Sequence, residues 1–80
     1  MGNLEAKPMI VQVSADLTGT VWKIMVNIGD QVAEGDALAI MESMKMEIPV
    51  MAPEAGEVVE IPVQEGDVVQ EGTPVVRLKV

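Results

Sequence analysis

Gly29-Asp30-Gln31-Val32-Ala33-Glu34-Gly35 returns 37 residues later as Gly66-Asp67-Val68-Val69-Gln70-Glu71-Gly72. Each stretch brackets one short apolar step, at Val32 or Val69, between a glycine-aspartate and a glutamate-glycine turn signal. Working outward at the same offset, Val26 meets Val63, Ile24 meets Ile61, Val21 meets Val58 and Gly19 meets Gly56. Further out, Ala15 meets Ala52, Val13 meets Val50 and Met9 meets Met46. These seven matches and the five inside the quoted stretch make twelve identities in 35 aligned positions, and the offset never slips. The chain is a tandem duplication with no insertion in either copy. The units are 9–43 and 46–80, and Met44-Lys45 is a two-residue join belonging to neither. Residues 1–8 precede the first copy and read as a linker or flexible N-terminus; 9–80 read as one domain.

Each copy reads as short strands separated by turns. In the first they fall at 9–13, 20–26, around Val32 and at 37–41; in the second at 46–50, 57–63, around Val69 and at 73–80. Frequent turn signals without a helical period predict an all-β sandwich or barrel of eight strands. Val21 to Ile24 breaks the alternation expected of a strand, and so does Val58 to Ile61, which predicts a β-bulge at matching places. Two copies in one domain pack best about a quasi-twofold axis. That axis puts the Met44-Lys45 join at one end and both chain termini at the other. Trp22, Met9, Met25 and Met51 read as packing residues, and Asp30, Asp36 and Asp67 as turn formers.

Composition narrows the chemistry. The 80 residues carry a net charge of −8, so phosphate backbones are repelled and nucleic acid is not an expected partner. There is no cysteine and no histidine, which removes thiolate nucleophiles, disulfides, and the commonest general base and metal ligand. Trp22 is the lone aromatic residue, too little for a stacking platform. Fourteen valines, seven glycines and five prolines suit strands and turns. No apolar run approaches the roughly 18 residues of a membrane span, and the first residues lack the pattern of a signal peptide. A cytoplasmic location, without membrane association, is the expectation.

The join sits in Met41-Glu42-Ser43-Met44-Lys45-Met46-Glu47. Propensity alone reads 39–50 as one long strand, because the favoured two-residue hairpin turns are Asn-Gly and Asp-Gly. Only the repeat forces a reversal at Met44-Lys45. A turn made without glycine is strained, and strain of this kind collects at functional sites.

Glu42-Ser43-Met44-Lys45-Met46-Glu47 resembles the Glu-Ala-Met-Lys-Met signature of biotinyl domains, with Ser43 in place of the usual alanine. The resemblance extends over nearly the whole chain. It takes in the Gly-Asp-x-Val-x-x-Gly pattern in both copies and Ala52-Pro53 followed by Gly56. The constant offset leaves no room for the protruding segment found in some carriers of acetyl-CoA carboxylases, so the thumbless type is the match. The resemblance implies a flattened eight-stranded β-sandwich of two four-stranded antiparallel sheets with quasi-twofold symmetry. It implies Lys45 as the residue joined covalently to biotin, on an exposed hairpin, with Met44 and Met46 as flanking recognition residues. It implies a non-catalytic carboxyl carrier, monomeric in isolation. Its partners would be a biotin protein ligase and the biotin carboxylase and carboxyltransferase of a biotin-dependent carboxylase.

The residues fit those roles. An ordinary lysine, with a pKa of about 10.4, is almost entirely ammonium at neutral pH, so the base that frees its amine must come from the modifying enzyme. The domain supplies position, presenting one of four lysines and leaving Lys7, Lys23 and Lys79 alone. Met44 and Met46 add adaptable apolar surface beside it. Two other readings share the fold. A lipoyl carrier usually has Asp-Lys-Ala around its lysine, against Met-Lys-Met here. An unmodified hairpin module of transport adaptors usually lies within a longer chain.

Overall fold

The computed structural model describes residues 9–80, so the linker expected at 1–8 lies outside the described residues. The valine-rich segments form eight strands: β1 (Ile10–Ser14), β2 (Gly19–Ile24), β3 (Gln31–Val32), β4 (Ala37–Ser43), β5 (Met46–Met51), β6 (Gly56–Glu60), β7 (Val68–Val69) and β8 (Pro74–Lys79). They make two four-stranded antiparallel sheets, in the orders β1-β8-β6-β3 and β5-β4-β2-β7. A shift of 37 residues, forward for β1 and β3 and back for β8 and β6, turns the first order into the second, strand for strand. Two separate sheets related in this way are the quasi-twofold sandwich, and the barrel alternative falls away.

The core repeats the symmetry. Val13, Ala15, Val21, Val32, Leu38, Ala39 and Met41 are buried, and so is the residue 37 positions after each of them. Val63 completes the cluster, with its mate Val26 half-buried against it. Fully burying a Val, Leu or Met side chain contributes roughly 1.5–3 kcal/mol, and the buried residues come seven from the first copy and eight from the second.

The bulges fall in pairs. Pairing of β2 with β4 shifts between Val21 and Lys23, and that of β6 with β8 shifts between Val58 and Glu60, where the broken alternation placed them. A second pair, not foreseen, interrupts β1–β8 between Val13 and Ser14 and β4–β5 between Ala37 and Ala39. It lets Leu38-Ala39 and Val75-Val76 each bury two successive residues.

The turns tie each copy to the other. Gly29 and Gly66 hold φ of 97° and 96°, a region that suits glycine. The N–H of Gly29 donates to the Val58 carbonyl, and that of Gly66 to the Val21 carbonyl, both at 2.7 Å. Asp30 and Asp67 act as the expected turn formers: each carboxylate accepts the backbone N–H three residues earlier, of Asn27 and Gln64, at 2.9 Å. Asp36 does the same for Ala33. The Val80 N–H donates to the Met9 carbonyl at 2.9 Å, in the place where Ser43 faces Met46 in the other copy. The join and the 9/80 end are therefore symmetry mates.

Some readings need correction. The second strand of each copy ends at Ile24 and Glu60, short of Val26 and Val63, and the Asp30 and Asp67 turns begin at Asn27 and Gln64 just beyond. Trp22 is 44% exposed: the bulge makes it an extra residue opposite no partner, and it falls outside the core. Met9, Met25 and Met51 are exposed as well. Met9 precedes β1, Met25 follows β2, and Met51 follows the inward-facing Val50 on a strand whose alternate residues face away.

Candidate functional site

β4 and β5 form a hairpin in the register Met41↔Ile48, Glu42↔Glu47 and Ser43↔Met46, which leaves Met44-Lys45 as its two-residue loop. Met41 and Val50 anchor the stem in the core, at 1% and 5% exposure. Pro49 lacks an N–H to give, and β5 is an edge strand, where that loss is tolerated. Both loop residues have left-handed backbone, φ 51° at Met44 and 67° at Lys45. Positive φ at both central positions is the mark of a type I′ turn, which matches the twist of its strands but is normally made by Asn and Gly. Holding L-residues with side chains in this region costs roughly 1–2 kcal/mol each. The strain inferred from the repeat is present.

That backbone throws the side chains outward. Met44 is 92% exposed, Met46 is 62% exposed, and Lys45 is exposed between them. The structure thus brings Lys45, Met44 and Met46 together at one tip. Among the described residues the one salt bridge joins Arg77 to Glu60, so no carboxylate holds the Lys45 ammonium. The other described lysines are strand residues: Lys23 lies opposite Ile40, with its Nζ 5.9 Å from the Trp22 ring centroid, and Lys79 lies opposite Ile10 and Glu57. Lys7 is outside the described residues.

One contributor escaped the sequence reading. A Cβ on Gly19 would lie 2.6 Å from the Glu42 carbonyl oxygen and 3.3 Å from the Ser43 Cβ. Gly19 therefore lets β2 press against the hairpin stem just below the turn. The matching of Gly19 with Gly56 was the available signal; Gly56 meets the Lys79 carbonyl oxygen in the same manner, at 2.8 Å.

A symmetric β-module that projects an amine, unpaired among the described residues, from a strained tip has the form of a carrier. The tip fits a group attached through an amide: the amine is accessible, no side chain of the described residues encloses it, and the stem below it is anchored.

Comparisons with known proteins agree. The family described as "Biotin-requiring enzyme" matches residues 6–78. The biotin/lipoyl attachment protein of Bacillus subtilis (strain 168) is 47% identical over 66 residues, 82% of this chain and 90% of that protein. Among solved structures, the urea carboxylase of Kluyveromyces lactis superposes with a TM-score of 0.84 at 34% identity, over 92% of this chain and 6% of the carboxylase. A single-chain, multi-domain long-chain acyl-CoA carboxylase gives 0.84 at 32% identity, over 98% of this chain and 8% of that one. The chain belongs to the biotin-requiring family, as a biotin/lipoyl attachment domain. It is a biotin carrier domain built of two antiparallel sheets.

Proposed function

We propose that Lys45 is the residue that carries biotin, through an amide between its Nζ and the biotin carboxyl group. The observation that carries this reading is the left-handed Met44-Lys45 turn, which sets an unpaired amine at the tip of an anchored hairpin. Bound biotin supplies a ureido nitrogen that accepts and releases carboxylate. The chain's own part is to hold the amine out, keep Lys23 and Lys79 in strands, and offer Met44 and Met46 as apolar contacts on either side. The domain itself is non-catalytic. A biotin protein ligase loads it, and the biotin carboxylase and carboxyltransferase of a biotin-dependent carboxylase fill and empty it. It works as a monomer in the cytoplasm, and its net charge of −8 keeps it from nucleic acid.

Co-expression with a biotin protein ligase tests the reading by intact mass. One biotin increment is expected, lost in Lys45→Arg, while thermal stability changes by less than about 0.5 kcal/mol, as for other exposed substitutions. Loading consumes one ammonium, so isoelectric focusing shifts to the acidic side by one charge from −8. A lipoyl increment favours the second reading, which the Bacillus subtilis biotin/lipoyl attachment protein keeps open. No increment in either form overturns the assignment of Lys45.

A further inference from the structure

The quasi-twofold axis supplies an internal control for the outer surface, because each outward residue of one sheet has a mate on the other. In the sheet β1-β8-β6-β3, the outer row Glu60–Arg77–Gln12 runs across three strands and closes on itself. Arg77 pairs with Glu60 and donates to Gln12 Oε1 at 3.5 Å. The mate of this row in the sheet β5-β4-β2-β7 is Lys23–Ile40–Pro49, with two apolar members and no polar closure. Beside it stand Trp22, 44% exposed, where the mate is Val59, and Val68, 77% exposed, where the mate is Gln31. One sheet thus closes its central outer row with polar side chains and leaves Ile10, 54% exposed, and the half-buried Val59 as its apolar members. The other, which carries the lysine hairpin, has an uncovered apolar outer face.

The charges differ in the same sense. Toward the hairpin, Glu42 and Glu47 stand directly opposite one another on this face. Like charges in cross-strand pairs are unfavourable. The mate of that pair is Lys79 opposite Ile10, which carries no such conflict. The face therefore calls for a partner that is apolar over Trp22, Ile40 and Pro49 and basic over Glu42 and Glu47.

Resting on the reading of Lys45 as the attachment site, we infer that this outer face is where the biotin protein ligase docks. Before loading, the reacting amine reaches no further than a lysine side chain. The loading enzyme must therefore lie against the hairpin and the sheet continuous with it, whereas later partners are met at the end of an extended arm. Trp22, a residue type enriched at interface hot spots, lies on the hairpin's own sheet.

Ligase kinetics on the full 80-residue chain test this, with biotin incorporation measured against carrier concentration. Trp22→Glu is expected to raise the KM for the carrier about tenfold or more with kcat little changed, while the mirror variant Val59→Glu stays within about twofold of wild type. Should Trp22→Glu fail to fold by circular dichroism, amide line broadening of the 15N-labelled wild type decides. Titrated with ligase, it is expected at Thr20, Lys23, Ile40 and Val68, and not at Gln12, Gln31, Glu57 and Arg77. An unchanged KM in Trp22→Glu, an equal rise in Val59→Glu, or broadening on the opposite sheet overturns the docking face. So does sedimentation showing that a second copy occupies the face, as a wild-type dimer lost in Trp22→Glu. A wild-type chain that takes no biotin at Lys45 overturns instead the functional reading beneath it.

Discussion

Met41, Met44 and Met46 show how far one residue type is governed by its place. Met41 is core, 1% exposed; Met44 is on the turn at 92%; Met46 opens β5 at 62%. Met44 makes no packing contribution that offsets its left-handed φ of 51°. Asn, which tolerates that conformation, would fit the first loop position of a type I′ turn better. Met44→Asn is therefore expected to stabilise the domain by about 0.5–1 kcal/mol, a rise in Tm of roughly 2–8 °C for a chain this small. Differential scanning calorimetry checks it; an unchanged or lower Tm means the turn stores no such strain. The gain available at that position marks Met44 as a residue placed for outside contact rather than for the fold.

At the scale of elements, the hairpin stands on β2. Gly19→Ala would drive a Cβ onto the Glu42 carbonyl, a backbone atom that cannot swing aside, and Gly56→Ala meets the Lys79 carbonyl likewise. Each variant is expected to lose about 1–3 kcal/mol in urea denaturation. Only Gly19→Ala displaces the stem under Lys45, so biotin incorporation should slow in that variant and not in Gly56→Ala. Equal rates in both would show that the stem does not set the lysine's position. The strands and the first pair of bulges were legible because the duplication states every turn twice, and because Val21 to Ile24 visibly breaks a period of two. The turn at Met44-Lys45 was legible only through the repeat, since nothing local announces it. The second pair of bulges was hidden because Leu38-Ala39 and Val75-Val76 read as ordinary apolar runs. Trp22 was misplaced for a related reason: an extra residue in a bulge has no parity, so apolar character alone said inside. The role of Gly19 under the hairpin depends on how closely two backbones approach, which no linear pattern records.

At the scale of the whole molecule, the two copies are interleaved rather than placed side by side. β1–β8, β2–β7 and β3–β6 all pair across copies, the β4–β5 hairpin joins them, and only β2–β4 and β6–β8 pair within one. The Gly29, Gly35, Gly66 and Gly72 N–H groups likewise donate to carbonyls of the other copy. A single copy therefore leaves two of its four strands without any partner, and about half of the buried cluster is missing. Such a fragment cannot bury enough apolar surface to offset chain entropy. A fragment of residues 46–80 is thus expected to be unfolded as a monomer, with collapsed amide dispersion and no cooperative melt. Every buried position it lacks has a mate that it holds, so the same contacts can be rebuilt between two fragments about a true twofold axis. If a folded signal emerges at high concentration, sedimentation should find it in a dimer. A folded monomeric half would contradict this, because it would mean that the pairings across copies, the basis of the sandwich described above, are dispensable.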